Sequence, residues 1–134
     1  MSNLFDKTTN ALASSIALRN IRQNVTASNI ANAETPNYHA KKVDFEDALA
    51  RALDLDGLSS LGTSHGEHFS VGGNPSVAPG IYENPEVEVN NDGNTVNLER
   101  EMALLTENSL INKAAIQLIN KKMAALKYAI SETR

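Results

Sequence analysis

The sequence predicts a mainly α fold in which long N- and C-terminal helices pack as a coiled-coil-like pair, with a small irregular or β middle excursion. Three observations carry this. Apolar residues recur at alternating steps of three and four from Leu98 to Ile130, and a weaker heptad runs through the first 33 residues. All seven glycines, with three of the four prolines, fall in the middle, so long helix is implausible there. The 134 residues thus divide into 1–53, carrying an N-terminal helix, a turn and a short helix; 54–96, a loop or small β-hairpin; and 97–134, a coiled-coil helix.

The first helix is expected over residues 3 to 33, with Asn3 as N-cap and Asp6 three residues later as an Asp form of the capping box. Leu4, Ala11, Leu18 and Val25 recur every seven residues, while Leu12, Ile16 and Ile21 widen the apolar face. Small residues fill much of the rest and allow close helix approach. Thr35-Pro36-Asn37-Tyr38 ends this helix in a turn, since Pro presets the first central position and Asn tolerates the left-handed second one. Val43 to Leu53 then read as a short extended piece and a helix of two to three turns capped by Asp44. In the middle, residues 69–71 and 85–89 alternate like short strands.

The last helix has the clearest pattern. Leu98, Met102, Leu105, Ser109, Asn112, Ile116, Ile119, Met123, Leu126 and Ile130 form an a/d seam, polar only at Ser109 and Asn112. Those two are candidates for fixing helix register. A helix from Leu98 to Ser131 would run roughly 50 Å at 1.5 Å per residue. Asn97 supplies the N-cap, Glu99 and Glu101 sit in the first turn, and Lys121, Lys122 and Lys127 lie toward the far end. A second stripe (Leu104, Ile111, Ala115, Leu118, Ala125, Ala129) makes the helix apolar on more than one face. Periodicity alone leaves two readings open: a helix central to its own small bundle, or one that packs on neighbouring copies. The pairing direction of the terminal helices is not fixed by pattern either.

Composition excludes several classes of function. There is no cysteine, hence no disulfide, thiolate metal site or cysteine nucleophile. Twelve basic and 16 acidic side chains give a net charge of -4, which argues against a surface that neutralises nucleic-acid phosphates. The charge is unevenly spread: +1 over residues 1–53, -7 over 54–96 and +2 over 97–134. With aromatics at 4%, the core must be built from aliphatic side chains and is expected to be thin. No stretch resembles a cleaved secretory signal or a membrane span, so no direct membrane insertion is expected.

The run Ser28-Asn29-Ile30-Ala31-Asn32-Ala33-Glu34-Thr35-Pro36-Asn37-Tyr38 resembles the N-terminal signature of the flagellar rod and hook proteins, N-I-A-N-x-x-T-P-G-Y. Arg19-x-x-Arg22-Gln23, Val43-Asp44-Phe45-Glu46, Thr63-x-x-x-x-His68-Phe69, Asp92 to Met102 and Glu107-Asn108-Ser109-Leu110 extend the likeness over nearly the whole chain. Together they point to the proximal-rod branch of the family. Asn37 stands where the family usually has Gly, and Asn112 where it often has Tyr.

The resemblance implies a structural subunit of the proximal rod of the bacterial flagellar basal body, assembling in a helical lattice with copies of itself and with other rod and basal-body proteins. It implies export by the flagellar type III apparatus without a cleaved signal, and a place in the periplasmic part of the rod. The terminal helices carry more apolar surface than such a chain can bury internally, so they are expected to order fully on assembly. An alternative is a monomeric helical adaptor or another exported axial protein. His65-Gly66-Glu67-His68 is the only pattern suggestive of a metal, and without a helix to aim it or an HExxH spacing it reads as a turn. No catalytic residue, metal or cofactor is expected.

Overall fold

A computed structural model describes residues 7–53 and 79–132. Helix α1 spans Lys7–Ala31, strand β1 Lys41–Val43, helix α2 Phe45–Leu53, strand β2 Ile81–Glu83 and helix α3 Leu98–Ser131. The expected caps Asn3 and Asp6, the strand-like residues 69–71 and the His65–His68 pattern lie outside the described residues.

The 34 residues of α3 begin and end where its pattern does. Asn97 holds extended backbone (φ -98, ψ 102), and its side chain accepts from the Arg100 N–H at 3.0 Å, satisfying one of the donors that a helix start leaves open. The helix α1 stops at Ala31, two residues short of the expected end. Asn32 is the reason: its Nδ2 donates to the Ser28 carbonyl at 2.8 Å and its Oδ1 accepts from the Thr35 hydroxyl at 3.2 Å, offering the backbone an alternative to another helical turn.

The two long helices run antiparallel. Asn29 near the end of α1 meets Glu101 near the start of α3, while Arg19 and Asn20 meet Asn108 and Asn112 further along. That direction, left open by the pattern, follows from the chain folding back through the segment before α3. Helix α2 lies on α1, where Leu18, Phe45 and Ala48 form the core with Leu49 packed against it. The guanidinium groups of Arg19 and Arg22 sit 4.8 and 4.4 Å from the centroid of the Phe45 ring, and Arg22 also reaches Glu46 at 3.5 Å. The two motifs Arg19-x-x-Arg22 and Val43-Asp44-Phe45-Glu46 thus meet in space.

Strands β1 and β2 pair antiparallel, Lys41 opposite Glu83 and Val43 opposite Ile81. This corrects the expected strand at 85–89, which is a turn followed by irregular chain. Glu86 there is an ion-pair partner of Lys42 at 3.2 Å and of Arg100 at 3.9 Å rather than a simply solvated charge. The strand forms at 81–83 because the N–H groups of Asp44 and Asn84 bond the carbonyls of Gly80 and Ala40 at 3.0 and 2.8 Å. Asp44 does precede α2, as expected of a cap, but its carboxylate accepts from the Gly80 N–H at 3.2 Å and from Arg51 at 3.3 Å.

Candidate functional site

The signature residues converge on one side chain. Asn29 is 1% exposed. Its Nδ2 donates to the Lys41 carbonyl at 2.8 Å and to Glu101 Oε2 at 3.1 Å; its Oδ1 accepts from the Lys41 N–H at 2.9 Å and from the Tyr38 hydroxyl at 3.2 Å. Every hydrogen-bonding position of the amide is occupied. Because Lys41 faces away from β2 in the ladder, its N–H and C=O would be open, and Asn29 closes that edge as a neighbouring strand would. One side chain therefore ties α1, β1 and α3 together.

A second asparagine does the same for the turn. Asn94 is fully buried; its Nδ2 donates to the carbonyls of Asn32 and Thr35 at 2.9 and 2.8 Å, and its Oδ1 accepts from the Val96 N–H at 2.7 Å. The turn itself closes through the Tyr38 N–H to the Thr35 carbonyl at 3.3 Å, with Asn37 at φ 59. Asn thus fills the left-handed place that Gly takes in the family pattern. The Asn37 N–H bonds the Asp92 carbonyl at 3.0 Å, and Gly93 lies at φ 78, where an added Cβ would collide with Asn37 Oδ1. Thr95 completes the clamp, donating its N–H to the Tyr38 carbonyl at 3.0 Å and accepting from the Ala40 N–H at 2.8 Å.

Glu101 is 5% exposed. Burial raises its proton affinity above the ordinary carboxylate value, opposed by the Asn29 hydrogen bond and by the charge of Arg100. The buried carboxylate is thus tolerated, not favoured, at neutral pH.

Of the sequence-derived site residues, Asn29, Ile30, Ala31, Asn32, Thr35, Pro36, Asn37 and Tyr38 are all at this clamp or flank it on α1 and the turn. The ten seam residues of α3 differ in exposure. Leu105, Ser109, Asn112, Ile119, Met123 and Leu126 are half-buried; Leu98, Met102, Ile116 and Ile130 are exposed. The row buried in the pair with α1 is Glu101, Leu105, Asn108, Asn112, Ala115 and Ile119, again at steps of four and three. Asn108 Nδ2 donates to the Arg19 carbonyl at 2.9 Å, and Asn112 Nδ2 to Asn20 Oδ1 at 3.0 Å. The internal seam is therefore the more polar one, and Met102 (55% exposed), Leu110 (70%) and Leu118 (56%) stand on the outside.

Sequence reasoning did not single out Asn94, Thr95 or Asn108 as structural anchors. Their only signal was membership of the motifs Asp92 to Met102 and Glu107 to Leu110. Glu101 was placed in a helix first turn, and its burial against Asn29 depends on a contact 72 positions away in sequence.

Buried amides thus lock α1 to α3 in a mainly helical fold, and several large apolar side chains of α3 stay exposed. The family model described as flagella basal body rod protein matches residues 10–39, which include most of α1 and the turn. Flagellar basal body rod protein FlgB of Cereibacter sphaeroides (strain ATCC 17029 / ATH 2.4.9) is 38% identical over 118 residues, covering 88% of this chain and 89% of that protein. FlgB of Aeromonas hydrophila is 34% identical over 132 residues, 97% of each chain. FlgB of Escherichia coli (strain K12) is 36% identical over 98 residues, covering 69% and 70%. The chain belongs to the FlgB family of flagellar basal body rod proteins. Among its described residues no helix is long and apolar enough to cross a membrane.

Proposed function

We propose that this chain is a structural subunit of the proximal rod of the flagellar basal body, without enzymatic activity, cofactor or metal. It assembles through its terminal helices with copies of itself and with other rod and basal-body proteins, and the assembled helices carry motor torque along the rod. It reaches the periplasmic part of the rod through the flagellar type III apparatus, without a cleaved signal.

The observation that carries this reading is the outward apolar surface of α3. Leu98, Met102, Leu110, Leu118 and Ile130 are each between 46% and 70% exposed, on a helix whose only packing partner among the described elements is α1. Exposed apolar side chains of this kind are unfavourable in water and become favourable once covered, at about 25 cal/mol per Å² of apolar surface. The Asn29 and Asn94 clamp supports the torque role, since it joins α1 to α3 through polar bonds that fix their relative position. In the assembled rod the candidate α3 residues Leu98, Met102, Ile116 and Ile130 would face neighbours, while Leu105, Asn112, Ile119 and Leu126 stay within the pair.

The test is complementation in a flagellated bacterium deleted for its own FlgB-family protein. The wild-type chain is expected to restore swimming and to be found in isolated basal bodies. A chain that is exported and folded yet absent from basal bodies would overturn the reading.

A further inference from the structure

The corner that joins α1 to α3 contains a backbone step able to rearrange its own covalent bonds. Asp92-Gly93 places a carboxyl group beside the peptide nitrogen of a residue with no Cβ to obstruct approach. When that nitrogen gives up its proton and attacks Cγ of Asp92, a C–N bond forms, one carboxyl oxygen leaves as water and a five-membered imide closes. Water then adds to either imide carbonyl. Opening at Cγ restores Asp92, whereas opening at the α-carbonyl leaves the main chain running through Cβ and Cγ, with the α-carboxyl group free. No atom is gained or lost overall, and the nitrogen recovers its proton.

The fold holds both reacting groups to other partners. The Gly93 N–H donates to the Asn90 carbonyl at 2.9 Å and the Asn90 N–H to the Asn94 carbonyl at 2.8 Å, so residues 90–94 form a closed loop. Asp92 Oδ1 accepts from the Asn94 N–H at 3.1 Å, and the Asp92 carbonyl accepts from the Asn37 N–H at 3.0 Å. Gly93 lies against Asn37, and the buried Asn94 is tied through its amide to the carbonyls of Asn32 and Thr35. Asp92 itself is exposed, so water reaches the site and the hydrogen bonds, not burial, hold the reaction back. Attack on Cγ requires the Gly93 nitrogen to leave its acceptor and the carboxyl group to turn toward it. The corner must open first.

We propose that Asp92-Gly93 is an isoaspartate-forming modification site gated by the clamp, silent while the corner is closed and reactive in the open or unfolded chain. The change then works against refolding. An extra methylene enters the main chain between Asp92 and Gly93, and the carbonyl that accepted from the Asn37 N–H becomes a carboxylate off the main chain. Gly93 and Asn94 are thereby displaced from Asn37, Asn32 and Thr35. The product belongs to the class of substrate that S-adenosylmethionine-dependent carboxyl methyltransferases take: the new α-carboxylate oxygen accepts the methyl group from the sulfonium, leaving S-adenosylhomocysteine. The inference stands on the corner alone, whatever the chain assembles with.

The experiment ages the full chain in buffer and in urea at one pH and temperature, then cuts it after glutamate. The peptide Val89–Glu99 carries Asp92 apart from the chain's other Asp-Gly step, Asp56-Gly57. Methyl transfer by an isoaspartyl methyltransferase reports the product, and an unchanged peptide mass separates it from deamidation of the neighbouring asparagines. Isoaspartate at position 92 is expected to form in denaturing urea and at least about tenfold more slowly in buffer, with rates at intermediate urea following the unfolded fraction. Asn94→Ala removes the amide that ties the corner to the turn after α1. Its rate in buffer should rise toward the urea rate, whether the substitution opens the corner or the whole chain. Wild-type chain carrying isoaspartate at 92 alone should melt at least about 5 °C below unmodified chain handled alike. Equal rates in buffer and urea, no isoaspartate at 92 in urea, an Asn94→Ala chain as slow as wild type in buffer, or a modified chain that melts like the unmodified one would each overturn the proposal.

Discussion

Asn29 cannot be replaced by another side chain without opening a buried polar group, because it is the only partner that supplies two donors and two acceptors to Lys41, Glu101 and Tyr38 at once. Each such group left unsatisfied costs about 1–3 kcal/mol. Asn29→Ala is therefore expected to lower stability by roughly 3–5 kcal/mol, read from urea midpoints at constant slope; a loss below about 1 kcal/mol would show that water replaces the amide freely. Glu101 allows a test through pH. Its folded-state proton affinity is raised, so folding takes up protons here. The site contributes most below the ordinary value of 4.5, and that contribution is lost as pH rises through the elevated folded value. Glu101→Gln keeps an oxygen acceptor for Asn29 and removes the buried charge. The variant should match or exceed wild type at pH 7, and its advantage should shrink as pH falls toward 4.5. Thermal melts of both proteins across that range check this, and an advantage that grows on acidification would contradict the assigned sign.

At the scale of elements, the meeting of the signature turn with the segment before α3 decides how the chain returns. Gly93 at φ 78 lies against Asn37 at φ 59, so two left-handed residues share one crowded corner. Gly93→Ala adds a Cβ into Asn37 and places Ala in a region that costs it about 1–2 kcal/mol. The variant should lose at least that much, whereas Asn37→Gly should be near neutral, since Gly adopts the same φ without penalty. Calorimetric melting temperatures separate the two cases. The turn was legible beforehand because its chemistry is local: Pro and Asn act within four residues. The bounds of α3 were legible for the same reason, through Asn97 and an apolar period interrupted only at Ser109 and Asn112. Which stripe of α3 would face α1 was not. Periodicity reports how many apolar residues share a side, and α3 has several such sides; the choice was made by Asn29, Arg19 and Asn20, whose partners Glu101, Asn108 and Asn112 look unpromising as core residues. Strand β2 was missed because three residues carry no alternation of their own, and Asn94 because burying an amide depends on carbonyls 59 and 62 positions away.

For the molecule as a whole, internal packing and outward apolar surface are assigned to different residues, and this makes folding and assembly separable by mutation. The apolar cluster between α1 and α2 is small, Leu18, Phe45 and Ala48 with Leu49 beside it. Leu18→Ala should therefore cost about 2–5 kcal/mol and destabilise the monomer, as large-to-small core substitutions do. Leu110 and Leu118, at 70% and 56% exposure, contribute little to that core. Leu110→Ser/Leu118→Ser should leave the melting temperature of the free chain nearly unchanged, within about 0.5 kcal/mol per site for exposed positions. In the rod, however, each serine would withdraw apolar surface from a covered interface and bury a hydroxyl there, costing about 1–3 kcal/mol per site. A rod repeats the contact in every copy, so the penalty recurs along the assembly. The double variant is thus expected to be folded and exported but depleted from isolated basal bodies, with swimming reduced to match, while Leu18→Ala fails at the level of the soluble chain. Immunoblots of basal bodies beside melts of purified protein make the comparison. Normal incorporation of Leu110→Ser/Leu118→Ser would mean that this side of α3 faces water in the rod, and the burden of assembly would shift to Leu98, Met102 and Ile130.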